Sequence, residues 1–526
     1  MPGKAPLSQY PHTPRIAVNF ALAVALVTSL QLPSKASATN HIHDQRVPIA
    51  LLPDARKADF EARISQDISY RLSLHQLRSP LPLPASAMVS LDAASGRLVV
   101  DLGTAMGPYS LELELEDLQG EFLTSADQVT KGVAQVTGIL LLFGGKDAYF
   151  YHPEAWRAPP PSLTPHSSIN TKSSQKIAVT AGHGYYYHHG YKDWRLQRDW
   201  HNGMVEDLTT PNYALMVSAW LQIRSDVGAI YPRGMYIGIH QPSGKHWYEM
   251  GARYNLERAY PNNPEIWNSR KGSSEHDREQ KEDVYSRPFF ANHIGADAAI
   301  NLHTNGDGDP TIRGARAFYQ LKDSTSKTLG DRVLCYMREQ VDTLDKYRDY
   351  LIDKSARDSN YAENRESKMP SVIVEVGFHS NPEDAAAMQD NDFVVAATRG
   401  IAKGYRAFSN GWDCSKFDIE SISDVVANET ESAPVSIDIT GHPEIPITVE
   451  FEPLDCPAGW IDCESTIRYI VDPTTPMVTT LFCGRIPQTG TAIWRSRLRD
   501  FDGIVTDWAT LSQTCINSDE KVPEDT

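Results

Sequence analysis

Four residues carry side chains that could share one hydrolytic site: His183, Glu206, His303 and Glu375. His183 ends the apolar run 177–180 at the small-residue turn Ala181-Gly182-His183-Gly184. His303 ends a second run, 296–302, before the turn Thr304-Asn305-Gly306. Both read as buried strands delivering an imidazole to a sheet edge, where open α/β sheets bind ligands. Glu206 precedes an apolar-periodic helix. The helix dipole alone accounts for a carboxylate there; beside His183 it is also an oxygen ligand. Glu375 lies inside the apolar run Ser371–Phe378, where a carboxylate is costly unless paired, protonated or metal-linked. Two histidines and a carboxylate with an open fourth position are a ligand set of catalytic zinc. A further glutamate is the proton carrier that zinc hydrolysis needs.

The elements that must position these residues read as one α/β region. Residues 229–233 and 314–319 form further strands, and 283–293 and 327–344 form helices. Pro211 is expected to break any helix begun at Glu206, so the helix over 213–223 is placed to start at Thr210-Pro211. The gap from His183 to Glu206 is long, and Asp199, Asp207, His188, His189 and His201 compete for the same ligand position. Residues 238–282 are polar, with little core-forming pattern, and read as a surface excursion or lid.

The flanks differ in character. A chain of 526 residues implies several domains. Its balance of 50 Lys+Arg against 67 Asp+Glu argues against a nucleic-acid partner, which needs a basic face. Lys4 and Arg15 precede an apolar run ending before Ala36-Ser37-Ala38, the pattern of a secretory signal over 1–38. No later stretch reads as a membrane span, so the expected location is periplasmic or secreted. Residues 45–156 read as a small α+β module with a helix over 60–77, strands over 88–91, 97–101 and 109–115, a helix over 124–142 and a last strand over 148–151. Residues 157–174 are a Pro/Ser/Thr-rich linker. After the 175–412 region, 420–433 reads as an acidic linker and 434–517 as a β-sandwich of six short strands, with an acidic tail over 518–526. The six cysteines suit disulfides in an oxidising compartment. The expected pairs are Cys456–Cys463, Cys483–Cys515 and Cys335–Cys414.

TAGHG, VEDL, SRPFFANHIGADAAINLHTN, GARAFY and MPSVIVEVGFHSNPEDAAAMQDNDF occur in an order that resembles the zinc-dependent N-acetylmuramoyl-L-alanine amidases of the Amidase_3 type, over about 177–408. The resemblance implies a central α/β/α sandwich with Zn2+ held by His183, Glu206 and His303, and Glu375 as the catalytic glutamate. It also implies a peptidoglycan substrate, cut between the lactyl group of N-acetylmuramic acid and L-alanine. The first module faintly resembles the GerMN-like modules found beside cell-wall amidases, and the last resembles a fibronectin type III-like domain that would bind wall or a protein partner. A zinc peptidase cutting within the stem peptide and a non-catalytic wall-binding protein are the alternatives.

Overall fold

The computed structural model describes residues 46–76, 82–106, 113–156, 175–225, 227–233, 236–472, 474 and 476–517. The expected signal over 1–38, the linker over 157–174 and the acidic tail over 518–526 lie outside the described residues. The fold is mixed α/β, built around a six-stranded sheet in the order Arg357–Ser359, Arg316–Gln320, Ser371–Phe378, Ala298–Asn305, Lys176–Ala181, Gly228–Ile230. The last four run parallel to one another. Arg316–Gln320 runs antiparallel to Ser371–Phe378 and parallel to Arg357–Ser359.

Side-chain alternation divides this sheet into two different faces. Ile177, Val179, Ile300, Leu302, Val372 and Val374 enter one apolar core. That core is covered by the helices Glu206–Ser225, Ser324–Val341 and Asn391–Asn410. The intervening residues, among them Thr180, Asn301, His303 and Glu375, face the other way. There the sheet meets the Arg278–His293 helix, the short Ala362–Arg365 helix and the N-terminal module.

That module is no separate bead. Its helices Asp54–Gln76 and Leu113–Thr130 and its sheet of Met88–Leu91, Leu98–Asp101 and Ile139–Leu142 bury a core that includes Phe318 and Ile373 of the large sheet. Three local expectations fail here. The described part of 109–115 is the start of a helix, not a strand, because Leu115, Leu118, Phe122 and Ala126 form a helical stripe. The helix expected over 124–142 stops at Thr130, and 134–135 and 139–142 are strands. Ala148–Tyr151 is a helical turn capped by Asp147.

The excursion over 238–282 is also more ordered than its composition suggests. It holds a two-stranded hairpin and the helix Ala252–Ala259, and buries Met250, Tyr254, Leu256 and Ile266. Arg253 lies against Glu279 and Glu282 at 3.3 and 3.1 Å, so paired charge does work that apolar periodicity would otherwise announce.

The C-terminal region has a three-stranded and a five-stranded sheet around one core. Residues 420–433 are not a linker: Asp418–Ile422 and Val425–Asn428 are strands of these two sheets, with Phe417, Val425 and Ala427 buried in the core. All three expected disulfides are present, Cys335–Cys414, Cys456–Cys463 and Cys483–Cys515. No helix among the described residues is long and apolar enough to cross a membrane.

Candidate metal centre

The Lys176–Ala181 strand ends in a turn that leaves no room for larger residues. A Cβ on Gly182 would stand 2.5 Å from the His303 ring, and one on Gly184 would stand 2.6 Å from the backbone nitrogen of Gly251. His183 itself adopts φ 61°, the left-handed region that non-glycine residues rarely occupy. Strain of this kind persists where surrounding structure enforces it, commonly at functional sites. Here the enforcing group is Asp207, whose carboxylate accepts from the backbone N–H groups of Gly184, Gln197 and Arg198 at 2.9, 2.7 and 3.1 Å.

Glu206 is the first residue of its helix, which runs Glu206–Ser225 straight through Pro211. The expected break is absent for a definable reason. Proline removes the N–H that would bond the Asp207 carbonyl, and the buried Arg233 guanidinium donates to that carbonyl instead, and to the carbonyls of Gly182 and His183 at 3.1 and 2.8 Å.

His183, Glu206 and His303 converge: one ligand atom from each lies within 4.8 Å of the others, and all three residues are buried. Glu206 Oε1 stands 2.9 Å from His303 Nδ1 and 3.5 Å from His183 Nε2. The competing candidates are elsewhere or occupied. Asp207 is saturated by backbone donors, Asp199 and His201 are exposed, His189 pairs with Glu279 at 3.0 Å, and His188 lies against Tyr191 and His276.

Glu375 is the neighbour of His303 across the parallel ladder, on the same face. It is only partly buried, yet its Oε2 is shielded from solvent and has no hydrogen-bond partner among the described residues. Burial pushes its carboxyl up to about 8; His303 opposes the rise and Glu206 adds to it. Burial would raise Glu206 likewise, but His183, His303 and Arg198 reverse this and hold it well below the usual carboxylate range. Burial drives the His183 imidazole well below its usual range. Burial opposes a charge on His303 too, but the flanking Glu363 and Glu206 outweigh it and raise the imidazole to about 10. Two imidazoles and a carboxylate whose ligand atoms lie within 4.8 Å of one another, with a carboxylate oxygen beside them that has no partner among the described residues, form a donor set that fits a divalent cation.

Sequence reasoning missed the residues behind the histidines: Gln197, Asp283, Arg287 and Glu363. Arg287 lies inside SRPFFAN, but nothing in the four-residue helix bearing Glu363 marks it from sequence.

The fold and site thus define an α/β region with a candidate His/Glu/His metal centre. Residues 270–407 match the family model described as N-acetylmuramoyl-L-alanine amidase, Amidase_3. The matched segment holds His303 and Glu375; His183 and Glu206 precede it. The N-acetylmuramoyl-L-alanine amidase CwlM of Bacillus licheniformis is 27% identical over 132 residues, 25% of this chain and 48% of that protein. The chain therefore spans about half the length of this curated relative. Among solved structures, the catalytic domain of CwlV, an amidase from Bacillus (Paenibacillus) polymyxa var. colistinus, is 19% identical with a TM-score of 0.28, covering 44% of this chain and 97% of that one. Ami1 from Mycobacterium smegmatis is 17% identical with a TM-score of 0.30, covering 46% and 100%.

Proposed function

We propose that the protein is an exported, zinc-dependent N-acetylmuramoyl-L-alanine amidase of peptidoglycan. The observation that carries this reading is the convergence of His183, Glu206 and His303 beside Glu375, in a chain whose 270–407 segment matches that family. His183 Nε2, Glu206 Oε1 and His303 Nδ1 are the atoms that would hold zinc. When bound, zinc polarises the scissile carbonyl and lowers the pKa of a water to about 7.

The chain's own residues supply the rest. Glu375, with its unpartnered oxygen, takes a proton from the attacking water and returns it to the departing nitrogen of L-alanine. The C–N bond breaks, leaving the lactyl carboxylate on the sugar and a free amine on the peptide. A carboxyl raised towards neutrality is suited to both halves of this proton transfer. Asp207 and Arg233 fix the His183 turn and the start of the Glu206 helix, so that the ligand atoms are preorganised. The C-terminal two-sheet region, read as fibronectin type III-like, is assigned to wall or partner binding, and the 45–156 module to a supporting role.

Zinc content tests the site. Wild type and Glu375→Gln are expected to hold about one zinc per chain, and His303→Ala and Glu206→Ala to hold far less. Stoichiometric zinc in Glu206→Ala would remove it from the ligand set, and activity retained in Glu375→Gln would overturn its role.

A further inference from the structure

Both histidines of the candidate centre have their second ring nitrogen tied into one hydrogen-bond circuit. On one arm, His183 Nδ1 lies 3.0 Å from Gln197 Oε1, and Gln197 Nε2 donates to Asp283 Oδ2 at 2.9 Å. Because a carboxylate only accepts, the Gln197 amide is oriented with its oxygen towards His183. His183 must then carry its proton on Nδ1, which frees Nε2 for a ligand. On the other arm, His303 Nε2 lies 2.7 Å from Glu363 Oε2, and Arg287 Nε donates to Glu363 Oε1. Arg287 Nη1 also donates to Asp283 Oδ2 at 2.9 Å, closing the circuit. The side chains of Arg287 and Asp283 are fully buried and that of Glu363 is 4% exposed.

We propose that Glu363, clamped by Arg287, is a positioning residue that keeps the proton of His303 on Nε2 and presents Nδ1 to the metal. This rests on the metal-centre reading above. Arg287 is the joint between this arm and the Gln197–Asp283 arm, so one guanidinium on the Arg278–His293 helix sets the orientation of both imidazoles. A carboxylate on the outer nitrogen also raises the basicity of the inner one, which strengthens its bond to a cation. Glu363→Gln breaks this in either amide orientation. With its oxygen towards Arg287, the amide NH2 confronts Nε2 and drives the histidine proton onto the metal-facing Nδ1. With its oxygen towards His303, the amide NH2 confronts Arg287. Asp283 still holds Arg287 in both cases.

The experiment measures the zinc dissociation constants of wild type and Glu363→Gln by competition with a chromophoric chelator. The visible spectra of the cobalt-substituted proteins and the melting temperatures of the metal-free proteins accompany it. The expected result is zinc affinity lowered about 10- to 100-fold, an altered cobalt spectrum and a metal-free melting temperature close to wild type. Unchanged affinity and spectrum in a folded variant overturn the proposal, since a merely structural residue would move only the melting temperature. If Glu363→Gln does not fold, Glu363→Asp, which keeps the charge beside Arg287 but withdraws from Nε2, must show the same loss. A wild type that binds no zinc overturns the metal-centre reading itself, a result distinct from wild-type binding that Glu363→Gln leaves intact.

Discussion

Replacing Asp127 with alanine probes how firmly the N-terminal module is joined to the sheet that carries the site. Asp127 lies on the Leu113–Thr130 helix, yet its carboxylate accepts from Arg357 Nη1 at 2.9 and 2.8 Å and lies 2.8 Å from Arg316 Nη1. The three side chains are 8%, 0% and 5% exposed. Arg357 keeps a second partner, Asp353, at 2.7 Å. Arg316 has no other ion pair among the described residues, only the face of Phe378 at 4.5 Å. Removing one partner of a buried pair costs about 3–5 kcal/mol, because the remaining charge stays desolvated. Since Asp353 retains half of the cluster, the expected loss is about 3 kcal/mol. Asp127→Asn keeps an acceptor oxygen and is expected to lose less. Urea unfolding followed by tryptophan fluorescence reads the effect as a lower midpoint at an unchanged slope. A loss under about 1 kcal/mol, the value of a solvated surface pair, would refute the claim that this cluster is a dry joint. Arg316 is also the cross-strand neighbour of Glu375, so a guanidinium released by Asp127→Ala is free to pair with it, and activity is expected to fall with stability.

Further outcomes follow from the same geometry. Glu375→Gln is expected to lower kcat by about 10²- to 10⁴-fold, read with purified peptidoglycan; a loss under tenfold would show that another group moves the proton. The Glu375 carboxyl is raised to about 8 by burial, so its penalty in the metal-free protein is absent near pH 4.5 and grows as pH rises to 8. Metal-free Glu375→Gln should therefore gain melting temperature over wild type across that window, and a pH-independent difference would contradict the burial argument. His303, raised to about 10, stabilises the metal-free fold fully below pH 6.5 and ceases to do so as pH passes through about 10. His303→Gln should therefore flatten the alkaline decline, and an unchanged decline would refute that assignment. Removing Cys335–Cys414, which closes 79 residues, should cost about 4–5 kcal/mol, against about 2–3 for Cys456–Cys463, which closes 7. Equal midpoints in urea would refute the loop-length ranking.

What the sequence made legible was the set of apolar runs ending in polar side chains. Residues 177–180, 296–303 and 371–378 read as buried strands because both faces of this sheet are covered, and they emerge as neighbouring strands of one sheet. What it concealed were features settled by distant charge. Pro211 looked like a helix breaker because Arg233, far along the chain, takes the carbonyl that proline orphans. The 238–282 excursion looked coreless because Arg253 and its glutamates order it. Asp127, Arg316 and Arg357 carry no periodic signal, yet they join the N-terminal module to the sheet. Glu363 was invisible for the same reason: its partner His303 is 60 residues away and its helix is four residues long.

Mass spectrometry of muropeptides digested by the zinc-loaded protein identifies the bond that is cut. Intact stem peptides beginning with free L-alanine are expected, together with N-acetylmuramic acid that retains its lactyl group. Fragments cut within the stem peptide, or undigested muropeptides, would contradict this.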